Sequence, residues 1–537
     1  MLIFKTTNMK SRLLILIVIH LQLTAFATID TTASPVPNIL FCIADDASWQ
    51  QMSAYGLCKW VQTPSFDRIA NEGLLFMNAY TPNAKCAPSR ASILTGRNPW
   101  QLEAAGNHNP FFPSKFKTFM EVFTEHGYIT GFTGKGWGPG EVGTDKYGQK
   151  RMLTGREYNA KKLTAPTSGI SAIDYAANLD EFLKNKKSGQ PFMFWYGGME
   201  PHREYEYGSG IHKGRKKLSD IDSVPPFWID NDVTRTDMLD YAYEVEYFDF
   251  QLGKVLEVLK KHNQLENTII VVTSDNGMPF PRIKGHMYEY DNHLPLAIMW
   301  KGHISNPGRK IYDYISFIDF APTFLEAAHI RQLQTGMQPI QGRSILSIIK
   351  SKDGNYIDAT RDYVLLGRER TDVGRPHDEG YPQRAIVKDG FFFVKNYEPS
   401  RWPSGNPETG YMDTDGSPAK TEILSANRRH AHEDLWQMNF GKRPSQELYK
   451  IKNDPWQMNN LAGNKIYGAT QKTLLKFMES NLKKQGDPRM FGKGDVFDKY
   501  PYAPQQVRGF YERYMKGEKM PTNWIQPTDF EKQMNNN

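Results

Sequence analysis

A mainly parallel α/β sheet flanked by helices, followed by a smaller α+β domain, is the fold this sequence predicts. Three observations point to it. Short continuous apolar runs recur along the first 360 residues, and such runs suit strands buried on both faces. Segments with apolar residues at helical spacing lie between them, the alternation that places helices on both faces of a parallel sheet. After about residue 360 the character changes, and Lys388-Asp389-Gly390 marks a hairpin turn.

The elements follow in order. The run 38–44 predicts a buried strand that ends at Asp45-Asp46, and 65–73 predicts a short helix with Gly73 near its end. A helix over 117–127 leads into a strand over 128–133, which ends in Gly134-Lys135-Gly136. A helix over 171–185 precedes a buried strand at 191–196. The long helical pattern 238–262 precedes a strand at 268–273 that ends in Ser274-Asp275-Asn276-Gly277. Beyond residue 360, strands are predicted at 363–368 and within 385–397, and a helix at 470–484. The stretch 400–418, rich in Pro, Gly and Asn, reads as a long loop, either a lid or surface. The domains are therefore 28–360 and 361–537, after a leader at 1–27.

That leader carries Lys5, Lys10 and Arg12, an apolar run over 13–23 and Ala25-Phe26-Ala27, the pattern of a cleavable signal peptide. The run is too short to span a bilayer, so an exported protein without stable membrane insertion is expected, periplasmic or secreted. Hydrophobic residues make up 39% and aromatics 13%, which excludes a mostly disordered chain. The net charge of +7, three units of it in the leader, is too small to argue for nucleic-acid binding. Three cysteines, Cys42, Cys58 and Cys86, do not make a disulfide scaffold in a chain of 537 residues. Cys42 lies within an apolar run and reads as core. The basic cluster at 213–217 reads as a solvated loop.

Chemistry concentrates at strand ends. Asp45 and Asp46 follow one buried strand, and Asp275 and Asn276 follow another. Ligands bind outside the carboxyl ends of strands in such sheets, and oxygen-only ligands suit calcium or magnesium. An Asp-Asp helix cap and an Asp-Asn-Gly turn are the ordinary alternatives. In the segment 86–97, Pro88 suits a first helical turn, so Cys86 should stand at a helix start that favours an anion. Arg90, four residues on, shares that face and could reach the same anion. A cysteine at a positive helix end also suits an activated thiol.

The stretch Cys86-Ala87-Pro88-Ser89-Arg90, with Leu94-Thr95-Gly96-Arg97, resembles the signature of the type I, formylglycine-dependent sulfatases. The resemblance spans nearly the whole chain after the leader. Asp45-Asp46 and Asp275-Asn276 resemble the family's two metal motifs. Gly134-Lys135-Gly136 and Pro201-His202 resemble its Gly-Lys motif and following histidine. Glu447-Leu448-Tyr449, Asp454-Pro455 and Asn460-Leu461-Ala462 resemble its C-terminal signature. The wording Asp275-Asn276-Gly277-Met278-Pro279-Phe280-Pro281 is similar to the branch holding heparan N-sulfatase and bacterial sulfatases of algal-polysaccharide degraders.

The resemblance implies an alkaline-phosphatase/sulfatase-like fold and a sulfuric ester hydrolase acting on sulfated carbohydrate, such as ulvan-derived oligosaccharides. It implies that Cys86 becomes formylglycine through a formylglycine-generating or anaerobic maturating enzyme. One Ca2+ would be held by Asp45, Asp46, Asp275, Asn276 and modified Cys86. Arg90, Lys135 and Lys284 would hold the sulfate, with Arg282 the fallback for Lys284, and His202 would protonate the leaving oxygen. Arg370, Arg375 and His377 fall where related enzymes form substrate subsites. One position departs from the pattern: Trp137 stands where most of the family has histidine after Lys135. His286 or His108 are candidates to replace it, and Trp137 to stack on a sugar ring. The alternatives are an N-sulfoglucosamine sulfohydrolase, a phosphatase or phosphonate hydrolase of the same superfamily, and a non-catalytic relative that binds sulfated carbohydrate.

Overall fold

The computed structural model describes residues 36–531; the predicted leader lies outside them. Fourteen strands are present among the described residues: β1 Asn38–Ala44, β2 Leu74–Phe76, β3 Ala79–Tyr80, β4 Ile129–Gly134, β5 Arg156–Glu157, β6 Phe192–Gly197, β7 Thr268–Ser274, β8 Leu296–Met299, β9 Arg309–Ile311, β10 Ile315–Ser316, β11 Tyr363–Arg368, β12 Gln383–Lys388, β13 Phe391–Asn396 and β14 Gln446–Lys450. The main sheet has the order β5-β4-β6-β1-β7-β8-β2-β9. It is parallel from β5 through β7 and antiparallel where β8 pairs with β7 and β2.

The centre of the sheet was legible because β1, β6 and β7 are buried along their whole length. Alternate residues of β1 face opposite layers. Leu40, Cys42 and Ala44 join the largest core cluster with Leu179, Val245 and Leu252, which come from the helices Tyr175–Lys184 and Asp232–Lys261. Phe41 faces the other way and meets Phe320 and Phe324 edge-on at 5.4 and 5.9 Å. Helices therefore cover both faces. The Asp232–Lys261 helix starts six residues before the predicted pattern, because the side chain of Asn231 caps it by accepting from the Thr234 amide at 2.9 Å. No helix among the described residues is long and apolar enough to cross a membrane.

The smaller part is built on the antiparallel sheet β11-β12-β13-β14. Asp389 and Gly390 both take positive φ, 53° and 75°, the requirement of the tight turn joining β12 to β13. The helix Gly468–Lys484 lays Leu474, Met478 and Leu482 on one face of this sheet, at four-residue spacing. Its other face packs against Tyr80, Met287 and Tyr288. The C-terminal signature serves this sheet: Asn460 Oδ1 accepts from the Leu448 amide of β14 at 2.9 Å.

The stretch 400–418 is neither lid nor open surface. Ser404 and the run from Tyr411 to Ser417 are buried. Its carboxylates and several of its carbonyls find internal partners, which lowers the penalty of burying them: Asp413 pairs with Arg368 and Arg375, and Lys420 donates to the carbonyls of Gly410 and Thr414.

Candidate active site

The register of the parallel strands builds the site. Ala44 of β1 lies opposite Ser274 of β7, and Gly134 of β4 opposite Gly197 of β6. The residues that follow, Asp45, Asp275 and Lys135, therefore leave the sheet side by side, with His202 a few residues beyond β6. The Asp46 amide donates to Asp275 Oδ1 at 3.1 Å, and Asn276 Nδ2 donates to Asp46 Oδ1 at 2.7 Å. All four metal-motif residues are fully buried.

The helix Cys86–Thr95 points its N-terminus at this cluster, with Cys86 as its first residue. Cys86 Sγ lies 3.6 Å from Asp45 Oδ1 and 4.0 Å from Asp46 Oδ1. Burial pushes the pKa of its thiol up, and Asp45 and Asp275 add to that against Lys135 and Lys284. The positive helix end that suggested an activated thiol is opposed here by burial and by two carboxylates.

The oxygens of Asp45, Asp46, Asp275 and Asn276 fit a hard cation, and Cys86 stands beside them with a softer sulfur donor. Asp45, Asp46 and Cys86 offer ligand atoms within 4.8 Å of one another. Asn276 Oδ1 is buried without a hydrogen-bond partner in the described structure, and a buried carbonyl oxygen lacking a donor is costly unless something positive meets it. Burial raises the pKa of Asp45, but Lys135, His202 and Arg90 outweigh it and hold that carboxyl well below its usual range. It is thus a carboxylate ready to ligate.

Arg90 does not reach an open anion site. Its guanidinium is fully buried, with Nε on Asp275 Oδ2 at 2.8 Å, one terminal nitrogen on the carbonyls of Lys135 and Gly136, and the other 3.5 Å from Asp45. It positions the ligand carboxylates instead. Of the predicted sulfate-binding cations, two lysines line the cavity instead. Lys135 Nζ lies 2.6 Å from Asp45 Oδ2, and Lys284 Nζ lies 2.7 Å from Asp46 and 2.8 Å from Asp415. Both line a cavity of about 540 Å³ together with Cys86 and His202. A larger groove of about 1180 Å³ runs along the Asp232–Lys261 helix, and none of these residues lines it. The fallback Arg282 turns away, donating to the carbonyls of Met438 and Gln457. His202 keeps Nδ1 2.6 Å from the Arg203 carbonyl, so Nδ1 carries a hydrogen and Nε2 is left for the cavity.

Several predicted contacts fall elsewhere. Trp137 is 9% exposed, donates from Nε1 to the Ala87 carbonyl at 3.2 Å and meets Phe112 edge-on at 5.0 Å. Its ring packs inside and offers no face to a sugar. Arg375 is buried on the carbonyls of Trp402 and Pro403 and on Asp413. Arg370 is buried over Tyr502, outside the cavity lining. His377 is exposed, beside Glu512. His286 is buried against Ser404 and does not line the cavity, whereas His108 does, with Nδ1 3.1 Å from Asp372. In the basic cluster, Lys213, Arg215 and Lys217 are exposed.

Sequence reasoning missed Lys85, Asp372, Asp415 and Tyr502, all of which line the cavity. Lys85 pairs with Asp372 at 3.1 Å, and Tyr502 donates to the same carboxylate at 2.8 Å. The lysine directly before Cys86 was the available signal for the first; nothing local marks the others.

The family model described as Sulfatase matches residues 37–330, more than half of the chain. The chain belongs to the sulfatase family. It is a sulfuric ester hydrolase. Among curated sulfatases it is 27% identical over 471 residues to an ulvan-active sulfatase of Formosa agariphila, covering 84% of this chain and 81% of that one. It is 24% identical to the human N-sulphoglucosamine sulphohydrolase, covering 79% and 86%. A solved structure in complex with its substrate D-glucosamine-2-N,6-O-disulfate shares the fold with a TM-score of 0.58 at 22% identity, covering 84% of this chain and 98% of that one.

Proposed function

We propose that this sulfatase removes sulfate esters from oligosaccharides of a sulfated polysaccharide, with Cys86 converted to formylglycine and one calcium ion at the metal motif. The single observation that carries the reading is the meeting of Cys86 with Asp45 and Asp46 on a cavity whose wall presents Lys135, Lys284 and His202. Similarity to the ulvan-active sulfatase of Formosa agariphila supports a polysaccharide source. The leader at 1–27 supports export, and maturation then needs a separate formylglycine-forming enzyme.

The residues divide the work. Asp45, Asp46, Asp275 and Asn276 would hold the calcium, which supplies positive charge beside the nucleophile. Formylglycine at position 86 would supply a hydrated aldehyde, one hydroxyl as the nucleophile and the second as the group that lets sulfate go. Arg90 fixes the carboxylates of Asp275 and Asp45. Lys135 and Lys284 stabilise the charge on the sulfate oxygens from positions fixed by Asp45, Asp46 and Asp415. His202, held by its Nδ1 hydrogen on the Arg203 carbonyl, presents Nε2 to the departing sugar oxygen and passes it a proton when the ring is the doubly protonated imidazolium, which leaves the ring neutral.

Mass spectrometry of the Cys86 peptide, with sulfate release from a panel of O-sulfated and N-sulfated oligosaccharides, tests the reading. The expected results are an aldehyde at Cys86, release from an O-sulfated member, and loss of turnover in a folded Cys86→Ala variant. Wild-type turnover in that variant overturns the proposal.

A further inference from the structure

The cavity has two unlike halves. Its floor is ionic, and the charges there are matched: Lys85 with Asp372 at 3.1 Å, and Lys284 with Asp415 at 2.8 Å. Its outer wall comes from the chain's C-terminal stretch, through Pro504, Gln506, Val507, Pro521, Asn523 and Trp524. Among the described residues, that stretch of the wall carries no charged side chain.

Two aromatic side chains of that stretch line the cavity, Tyr502, whose hydroxyl is held by Asp372 at 2.8 Å, and Trp524. Trp524 is half-buried. Its Nε1 donates to the Met412 carbonyl at 2.9 Å, which fixes the indole plane. On its inner side it packs against the small cluster of Val373, Met412, Phe510 and Ile525. No other ring stacks on it among the described residues. A ring fixed by its polar edge and backed on one side presents apolar area to whatever enters the cavity.

We propose that Trp524 is the platform for an uncharged sugar ring adjoining the sulfated one. This rests on the sulfatase reading, which places the sulfate at Cys86 on the floor. A pyranose ring has a face of C–H groups, and laying it on the indole removes apolar area of both from water. The uncharged wall sets the chemistry of the ring. A uronate or a second sulfate there would lose hydration without a cation to replace it. Gln506 and Asn523 bring amide groups that suit hydroxyls. The subsite thus selects a chain in which the neighbour of the sulfated sugar is neutral.

The test uses the matured full-length enzyme and three substrates. These are a sulfated monosaccharide, the same residue joined to a neutral sugar, and the same residue joined to a uronate. Sulfate release from the monosaccharide by the wild type checks the sulfatase reading by itself. For the subsite, Trp524→Ala should raise KM for the neutral disaccharide by about five- to tenfold, the range of one aromatic contact, and leave kcat/KM for the monosaccharide unchanged. Trp524→Phe should recover most of the loss, and it keeps the test alive if the alanine variant does not fold. The wild type should favour the neutral disaccharide over the uronate one. Equal losses on monosaccharide and disaccharide, or a wild-type preference for the uronate, overturn the proposal.

Discussion

Replacing Trp137 by alanine should destabilise the enzyme and slow every substrate by a common factor. The ring is 9% exposed, meets Phe112 edge-on at 5.0 Å, and is tied through Nε1 to the Ala87 carbonyl at 3.2 Å. Truncating a packed aromatic to alanine costs about 3–5 kcal/mol through lost contacts and the cavity left behind. With a melting entropy of about 2.1 cal/mol/K per residue, a folded chain of roughly 500 residues loses about 1 °C per kcal/mol, so the midpoint should fall by about 3–5 °C. Ala87 directly follows Cys86 on its helix. Loosening that anchor shifts the nucleophile for any substrate, whatever lies beyond the sulfate. Differential scanning calorimetry would give the midpoint, and initial rates on a small aryl sulfate and a sulfated oligosaccharide would give the kinetics. The two substrates should lose kcat/KM in equal proportion. A several-fold rise in KM for the oligosaccharide alone, with the midpoint unmoved, would refute the packing argument and restore the sugar platform to Trp137.

The remaining predictions concern the metal site and the sulfate-binding cation. Asp275→Ala removes a carboxylate that accepts from the Asp46 amide and from Arg90; calcium content by elemental analysis and turnover should fall together. Full calcium occupancy with unchanged turnover in that variant would exclude the ligand set. Lys284→Ala should lower kcat/KM on the order of 100-fold, the usual loss when one donor to a developing charge is removed. Arg282→Ala should instead lower stability and spare kcat/KM, because that guanidinium binds two carbonyls and lies over Tyr288 at 4.2 Å. The opposite pattern in this pair would transfer the sulfate contact to Arg282.

Legibility followed the range of the interactions involved. β1 and β7 were readable because a strand buried on both faces writes itself as an unbroken apolar run, and the Asp389-Gly390 turn because few residues accept two positive φ angles. The start of the Cys86 helix was readable from Pro88. By contrast, the composition of 400–418 marked it as a long loop, lid or surface, yet Asp413 and Asp415 hold Arg368, Arg375 and Lys284 inside. Lys284 and Asp415 are 131 positions apart, and no local pattern announces such a pair.

The sequence by itself determined the strand-end carboxylates, the cysteine at a helix start and the family, since each is a matter of neighbouring residues and backbone preference. Only the tertiary structure decided which side chains reach the open cavity. Arg90 lost that place because its donors are taken by Asp275 and two carbonyls, and Trp137 lost it to packing against Phe112 and Ala87. Asp415 and Trp524 gained it because the C-terminal half supplies part of the cavity lining, and Lys85 because it is the N-cap residue of the Cys86 helix and pairs with Asp372. A side chain's type limits what it can do, but the partners that compete for its polar atoms and its surface are set by the packing of distant segments.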